Sequence, residues 1–147
     1  MPLIIRKMRE SDLGPLCVLL SDPRVMLYLE PPYSREQTIH FIESAALCDS
    51  PLIYAAEEDD AFLGYVICHD YDDTSLEIGW VLFPWYWGKG YASRLTELLI
   101  ERGKALHKHL VIECAPEQHV TQHIAEKYGF VYEGHSYGLD VYRLYCL

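Results

Sequence analysis

The chain has 147 residues, 50% of them hydrophobic and 23% charged, which is the balance of one folded domain with a sizeable core rather than of a disordered segment. Twenty-two acidic residues against twelve basic ones give a formal charge of −10, which argues against nucleic-acid binding, since phosphate backbones demand clustered Lys and Arg; a cationic small molecule or basic peptide suits the chain better. No apolar run approaches the ~20 residues of a membrane span, "MPLIIRKMRESD" lacks a signal-peptide pattern, and five isolated cysteines (Cys17, Cys48, Cys68, Cys114, Cys146) favour a reducing compartment and buried thiols. The expectation is a soluble, cytoplasmic, single domain over residues 1–147, without linker or repeat.

In chain order, "PLIIRKM" (2–8) reads as a first strand. "SDLGPLCVLLSD" (11–22) reads as a helix capped by Ser11 or Asp12, with Pro15 tolerated near its start. "DPRVMLYLEPPYS" (22–34) gives a helical turn and then a Pro-Pro loop. In "SREQTIHFIESAAL" (34–47), Ser34 and Gln37 have capping-box spacing, and Ile39, Phe41 and Ile42 form one apolar side. The pattern then changes to strands, "LIYAAEE" (52–58), "AFLGYVICHDY" (61–71) and "SLEIGWVLF" (75–83), whose turns fall at the acidic groups "EEDD" (57–60) and "DYDD" (70–73). Short turns make these three an antiparallel meander.

Beyond Pro84 the apolar period becomes helical. Tyr91, Ala92, Leu95, Leu98, Leu99, Ala105 and Leu106 line one face of a helix from about Lys89 to about Leu106. "HLVIECA" (109–115) is a short buried strand. "EQHVTQHIAEKY" (117–128) is a helix with Val120, Ile124 and Tyr128 on one side, closed by Gly129. "FVYEG" (130–134) and "LDVYRLYCL" (139–147) alternate as a final hairpin, whose tyrosine-rich edge can pair two chains into a homodimer. The sum is a mixed α/β sheet flanked by about four helices.

"FPWYWGKGYAS" (83–93) carries chemistry. A strand ending at Phe83 feeds a helix N-terminus, whose first N–H groups have no internal partner and whose dipole favours an anion. Gly88 and Gly90 lack Cβ atoms, so phosphate oxygens can approach the backbone. The pattern G-x-G-x-x-G fails at Ser93, and the phosphate-loop ending Gly-Lys-Ser/Thr fails because Gly90 follows Lys89. His119 and His123 have the i, i+4 spacing of zinc-binding helices, but Val120 stands where the glutamate of H-E-x-x-H belongs, so a solvated helix face is expected and no metal.

"WGKGYA" (87–92) resembles the acetyl-CoA motif of the GNAT N-acyltransferase superfamily, Gln/Arg-x-x-Gly-x-Gly/Ala: Gly90 and Ala92 match, and Trp87 takes the Gln/Arg place. "APEQHVTQHIAEKYGFVYEG" (115–134) resembles the family's next segment through Glu126, Lys127, Gly129, Phe130, Glu133 and Gly134, with Gln118 and Thr121 replacing Asn and Ser. The element order fits that fold from end to end, and the wording is closest to the branch acting on protein N-termini and small amines. The resemblance implies an α/β fold whose central strand splays from its parallel neighbour "HLVIECA". It implies acetyl-CoA as co-substrate, with its pantetheine along the backbone of Trp80, Val81 and Leu82. Its pyrophosphate would lie on Trp87, Gly88, Lys89, Gly90, Tyr91 and Ala92, with Gln118 contributing nearby.

In that family an amine attacks the thioester directly, so no cysteine nucleophile is implied, but a base is. Glu77 is the candidate: strand alternation sets it with Gly79 and Val81, opposite Leu76, Ile78, Trp80 and Leu82, where partial burial raises its pKa. The family's usual acid, a tyrosine four residues before Gly-Phe, is replaced by Ala125. Tyr128 is off that face, and Tyr137, Tyr142 and Tyr145 remain open candidates. Tyr28, Glu30 and Tyr33 fall where the family shapes its acceptor pocket. The expected activity is transfer of acetyl to a primary amine, cationic or neutral. The alternatives are a non-catalytic acyl-CoA-binding module and a purely structural domain.

Overall fold

A computed structural model describes residues 2–146; Met1 and Leu147 lie outside the described residues, so the last position of the strand expected over 139–147 is not covered. The strands are β1 (Leu3–Arg6), β2 (Ile53–Glu58), β3 (Ala61–Asp70), β4 (Ser75–Leu82), β5 (His109–Cys114), β6 (Val131–Ser136) and β7 (Leu139–Leu144). The helices are α1 (Leu13–Leu20), the single turn α2 (Pro23–Met26), α3 (Arg35–Ala45), α4 (Tyr91–Ala105) and α5 (His119–Lys127). Among the described residues the strands form one seven-stranded sheet in the order β1-β2-β3-β4-β5-β7-β6. β4 and β5 run parallel, as expected, within a mostly antiparallel sheet. No helix of the described residues is long and apolar enough to cross a membrane.

The chain divides into two compact units. One comprises the residues up to Ile67 together with Trp80–Tyr91. Its core joins Leu16, Leu19 and Leu20 of α1 and Ile42 of α3 to Ile53, Ala55, Tyr65 and Val81 of the strands and to Phe83 just after β4. The capping box of α3 forms as its spacing demands: Gln37 N–H donates to Ser34 Oγ at 3.2 Å, and Ser34 N–H donates to Gln37 Oε1 at 2.8 Å. Gly64 has φ 143°, and a Cβ there would stand 2.0 Å from the Val81 carbonyl, so only glycine lets β3 and β4 approach at this point.

Asp12 does not cap α1. Its carboxylate instead accepts two hydrogen bonds from the Arg6 guanidinium, at 2.8 and 2.9 Å, and one from Arg9 N–H at 2.8 Å, while Glu57 takes the remaining side of Arg6 at 3.0 Å. Burial alone raises the Asp12 carboxyl, but these bonds outweigh it and hold the group below its usual 3.8. A carboxyl depressed in the fold stabilises above its unfolded value, and that stabilisation is lost as pH falls through the folded one. Asp12→Asn therefore costs about 1–3 kcal/mol at neutral pH in urea unfolding, and its gap from the wild type narrows below about pH 4.

The other unit comprises Cys68–Gly79 and the chain from Ala92 onward. α4 buries Leu95, Thr96, Leu99, Ile100 and Gly103. Leu98, Ala105 and Leu106, expected on that face, are exposed, the two leucines by 38% and 55%: the buried stripe runs from Leu95 and Thr96 through Leu99 and Ile100 to Gly103, and these three positions fall outside it. α5 likewise buries Ile124 and Ala125 while Val120 is 72% exposed, because a nine-residue helix seats one short patch rather than a line of i, i+4 positions. Cys68 and Cys114 are buried, Cys17 and Cys146 half-buried and Cys48 exposed, and all five are free; burial pushes the Cys114 thiol up to about 11, unsuited to nucleophilic work.

Candidate active site

β4 runs through both units, and each unit holds candidate residues of its own. Its parallel ladder with β5 pairs Ser75 with His109, Leu76 with Leu110 and Glu77 with Val111, and stops there, although β5 runs on to Cys114 and β4 to Leu82. Phe83 N–H donates to Leu63 C=O at 3.1 Å, and alternation along the strand turns the backbone groups of Trp80 and Leu82 away from β3.

The strand then enters a 3₁₀ turn, Pro84–Tyr86, held by aromatic packing: Trp85 stacks on Phe83 at 4.5 Å between centroids, and Tyr86 meets Tyr91 edge-on at 5.6 Å. Trp87, in the place of the family's Gln or Arg, donates its indole N–H to the Leu82 carbonyl at 2.9 Å. Tyr91 Oη donates to Glu58 Oε1 at 2.6 Å. Gly88 and Gly90 have φ 71° and 84°, and an added Cβ at either would meet nothing within 4 Å. Both glycines are thus required by left-handed backbone beside open space, and this delays α4 to Tyr91, two residues after the expected start. Lys89 is exposed between them. Replacing Trp87 with Phe keeps the ring and removes one partly buried hydrogen bond, so denaturant unfolding should show a loss of about 0.5–1.5 kcal/mol.

The other unit holds Glu77, half-buried, with 23% of its side chain exposed. Burial raises its carboxyl above the usual glutamate range; His69 pulls it back and Glu113 adds to the rise. His69 Nε2 lies 3.6 Å from Glu77 Oε1, and Tyr71 Oη donates to Glu113 Oε2 at 3.1 Å. The sequence singled out Glu77 alone; the structure adds His69, Tyr71 and Glu113. The signal for His69 was the length of the "DYDD" turn, since Tyr71 N–H donates to Ser75 C=O at 2.9 Å and that register sets His69 across from Glu77.

Gln118 stands before α5, where its Oε1 accepts from Ala115 N–H at 2.8 Å and so closes the loop after β5. Its neighbour Gln122 donates to Pro116 C=O at 2.8 Å. Ala125 is fully buried. Tyr128 Oη donates to Glu97 Oε2 at 2.7 Å, Tyr145 Oη donates to Glu133, Tyr137 is fully exposed at the hairpin turn, and Tyr142 is buried with Cys114 and Glu126 as neighbours. The hydroxyl that the fold does bring beside Glu77 and Glu113 is that of Tyr71. His119 and His123 are exposed on α5.

Residues 2–131 match the acetyltransferase (GNAT) domain family. The chain is 30% identical over 139 residues, 90% of its own length and 81% of the relative's, to the uncharacterized N-acetyltransferase YnaD of Bacillus subtilis (strain 168). Among solved structures it resembles a GNAT-family acetyltransferase from Bacillus anthracis, with TM-score 0.84 and 26% identity over 98% of this chain and 93% of that one. It shares its fold with the spermidine N-acetyltransferase of Vibrio cholerae, solved with CoA and spermine, at TM-score 0.81 and 24% identity over 97% and 93%. A parallel pair with a short ladder, a double-glycine turn opening α4 and a matching family model over most of its length agree: this chain belongs to the GNAT acetyltransferase family.

Proposed function

We propose that the chain, as one domain over residues 1–147, transfers an acetyl group from acetyl-CoA to a primary amine, a small amine or a peptide N-terminus. The observation that carries this is the turn at Gly88 and Gly90, whose backbone opens onto free space ahead of a fifteen-residue helix and so fits a pyrophosphate. Trp87, Gly88, Lys89, Gly90, Tyr91 and Ala92 would hold that group. Trp80, Val81 and Leu82 would offer backbone to the pantetheine, where the Leu82 carbonyl is already shared with Trp87. Gln118 would act through the loop it closes. Bound acetyl-CoA would supply an activated acetyl thioester.

The protein's own part is to bind, orient and deprotonate. Glu77 takes a proton from the acceptor's ammonium, leaving the nitrogen pair free to attack, and burial, which raises its carboxyl, favours its holding that proton. The acidic surroundings favour a cationic or neutral acceptor, although Asp72 of the "DYDD" turn is already paired with Arg143 at 3.4 Å. β6 is the outer strand of the sheet and would be the pairing edge of a homodimer. Buried Ala125, where the family has its tyrosine, favours the second reading, an acyl-CoA-binding module without turnover. Thermal unfolding with added nucleotides tests the cofactor: acetyl-CoA should raise Tm, and a larger rise with ATP or NAD would count against the assignment.

A further inference from the structure

This inference rests on the acetyltransferase reading of Glu77. His69 and Glu77 face each other across neighbouring antiparallel strands, with Nε2 3.6 Å from Oε1. On its other side, His69 Nδ1 is 2.9 Å from the Asp70 carbonyl. A carbonyl oxygen only accepts, so Nδ1 must carry hydrogen, and the neutral ring then has none on Nε2. An unprotonated Nε2 3.6 Å from a carboxylate oxygen is electrostatically repulsive, and a proton taken up by the pair relieves that repulsion. We propose that His69 and Glu77 form one base, in which His69 is a positioning and proton-sharing partner of Glu77.

The acceptor's ammonium gives one proton to the Glu77 carboxylate, and the nitrogen keeps the N–H electron pair. The proton settles between Oε1 and Nε2 as an imidazolium–carboxylate pair, with Nδ1–H still anchored on Asp70. Glu113 on β5 adds a second negative charge nearby, and the Tyr71 hydroxyl donates to Glu113. The Arg143 guanidinium, 5.8 Å from the centroid of the Tyr71 ring, is held by Glu133, Asp72 and Ser75 and does not compete for Glu77.

The test is the pH profile of kcat/KM for wild type and His69→Gln, whose amide can place an N–H toward Glu77 but cannot take a proton. If the pair is the base, the variant leaves a lone carboxylate, so the acid limb moves to lower pH by about one to two units and the plateau falls about tenfold. If His69 only lends positive charge, its removal leaves the limb in place or moves it to higher pH, and the proposal fails. A second readout needs no turnover. Nitrogen-15 spectra should find neutral His69 as the Nδ1–H tautomer, and the Glu77 carboxyl carbon should sense two proton steps in wild type and one in His69→Gln. An Nε2–H tautomer, or a single step in both proteins, overturns the pairing. Absence of turnover at every pH would sink the acetyltransferase reading while these spectra still decide the pair.

Discussion

Glu77→Gln should lower kcat by about 10²–10⁴-fold at neutral pH, the scale of one general base, and leave acetyl-CoA affinity nearly unchanged. The amide matches the carboxylate in shape and keeps hydrogen bonding toward His69, so the fold has no reason to change. What disappears is the carboxylate that takes the acceptor's proton. The sign of the pH effect follows from burial: the carboxyl is raised in the fold, so the wild-type rate climbs with pH through a transition above the ordinary glutamate range. In the variant the transition that belongs to Glu77 should be lost, read from initial rates across pH. Full activity in Glu77→Gln would remove the residue from the mechanism.

Gly90→Asp should abolish acetyl-CoA binding while the protein stays folded. At φ 84° aspartate pays about 1 kcal/mol of backbone strain, and nothing within 4 Å opposes its Cβ, so the cost to stability is small. Its carboxylate would lie where the pyrophosphate is proposed to sit. In wild type, acetyl-CoA at about 100 times its Kd adds about 2.7 kcal/mol to stability and raises Tm accordingly; in the variant the rise should be absent. Equal shifts in the two proteins would mean that the turn holds something other than the pyrophosphate.

Local signals in the sequence were read correctly where local physics decides. Ser34 and Gln37 form their box because both partners lie within one turn, and the first two meander strands end at their acidic turns because those positions favour reversals. The glycines at 88 and 90 marked the turn, but the helix begins beyond them, since two left-handed residues cannot be helical. Signals failed where a distant partner competes. Asp12 looks like a cap, yet the Arg6 guanidinium claims its carboxylate. Leu98, Leu106 and Val120 fit helical spacing, but which side of a helix is covered depends on what packs against it. The candidate site was half legible: Glu77 stood out as a carboxylate among apolar neighbours, whereas His69, Tyr71 and Glu113 reach it through strand register.

The most direct measurement is turnover: purified protein with acetyl-CoA and a panel of primary amines, read by mass spectrometry of the amine and by release of CoA thiol. Transfer predicts an acetylated amine with one free thiol for each acetyl moved, fastest for cationic acceptors and slowed by salt as screening shortens the Debye length to about 8 Å near physiological ionic strength. Tight acetyl-CoA binding without an acetylated product from any amine would contradict it and leave a binding module in its place.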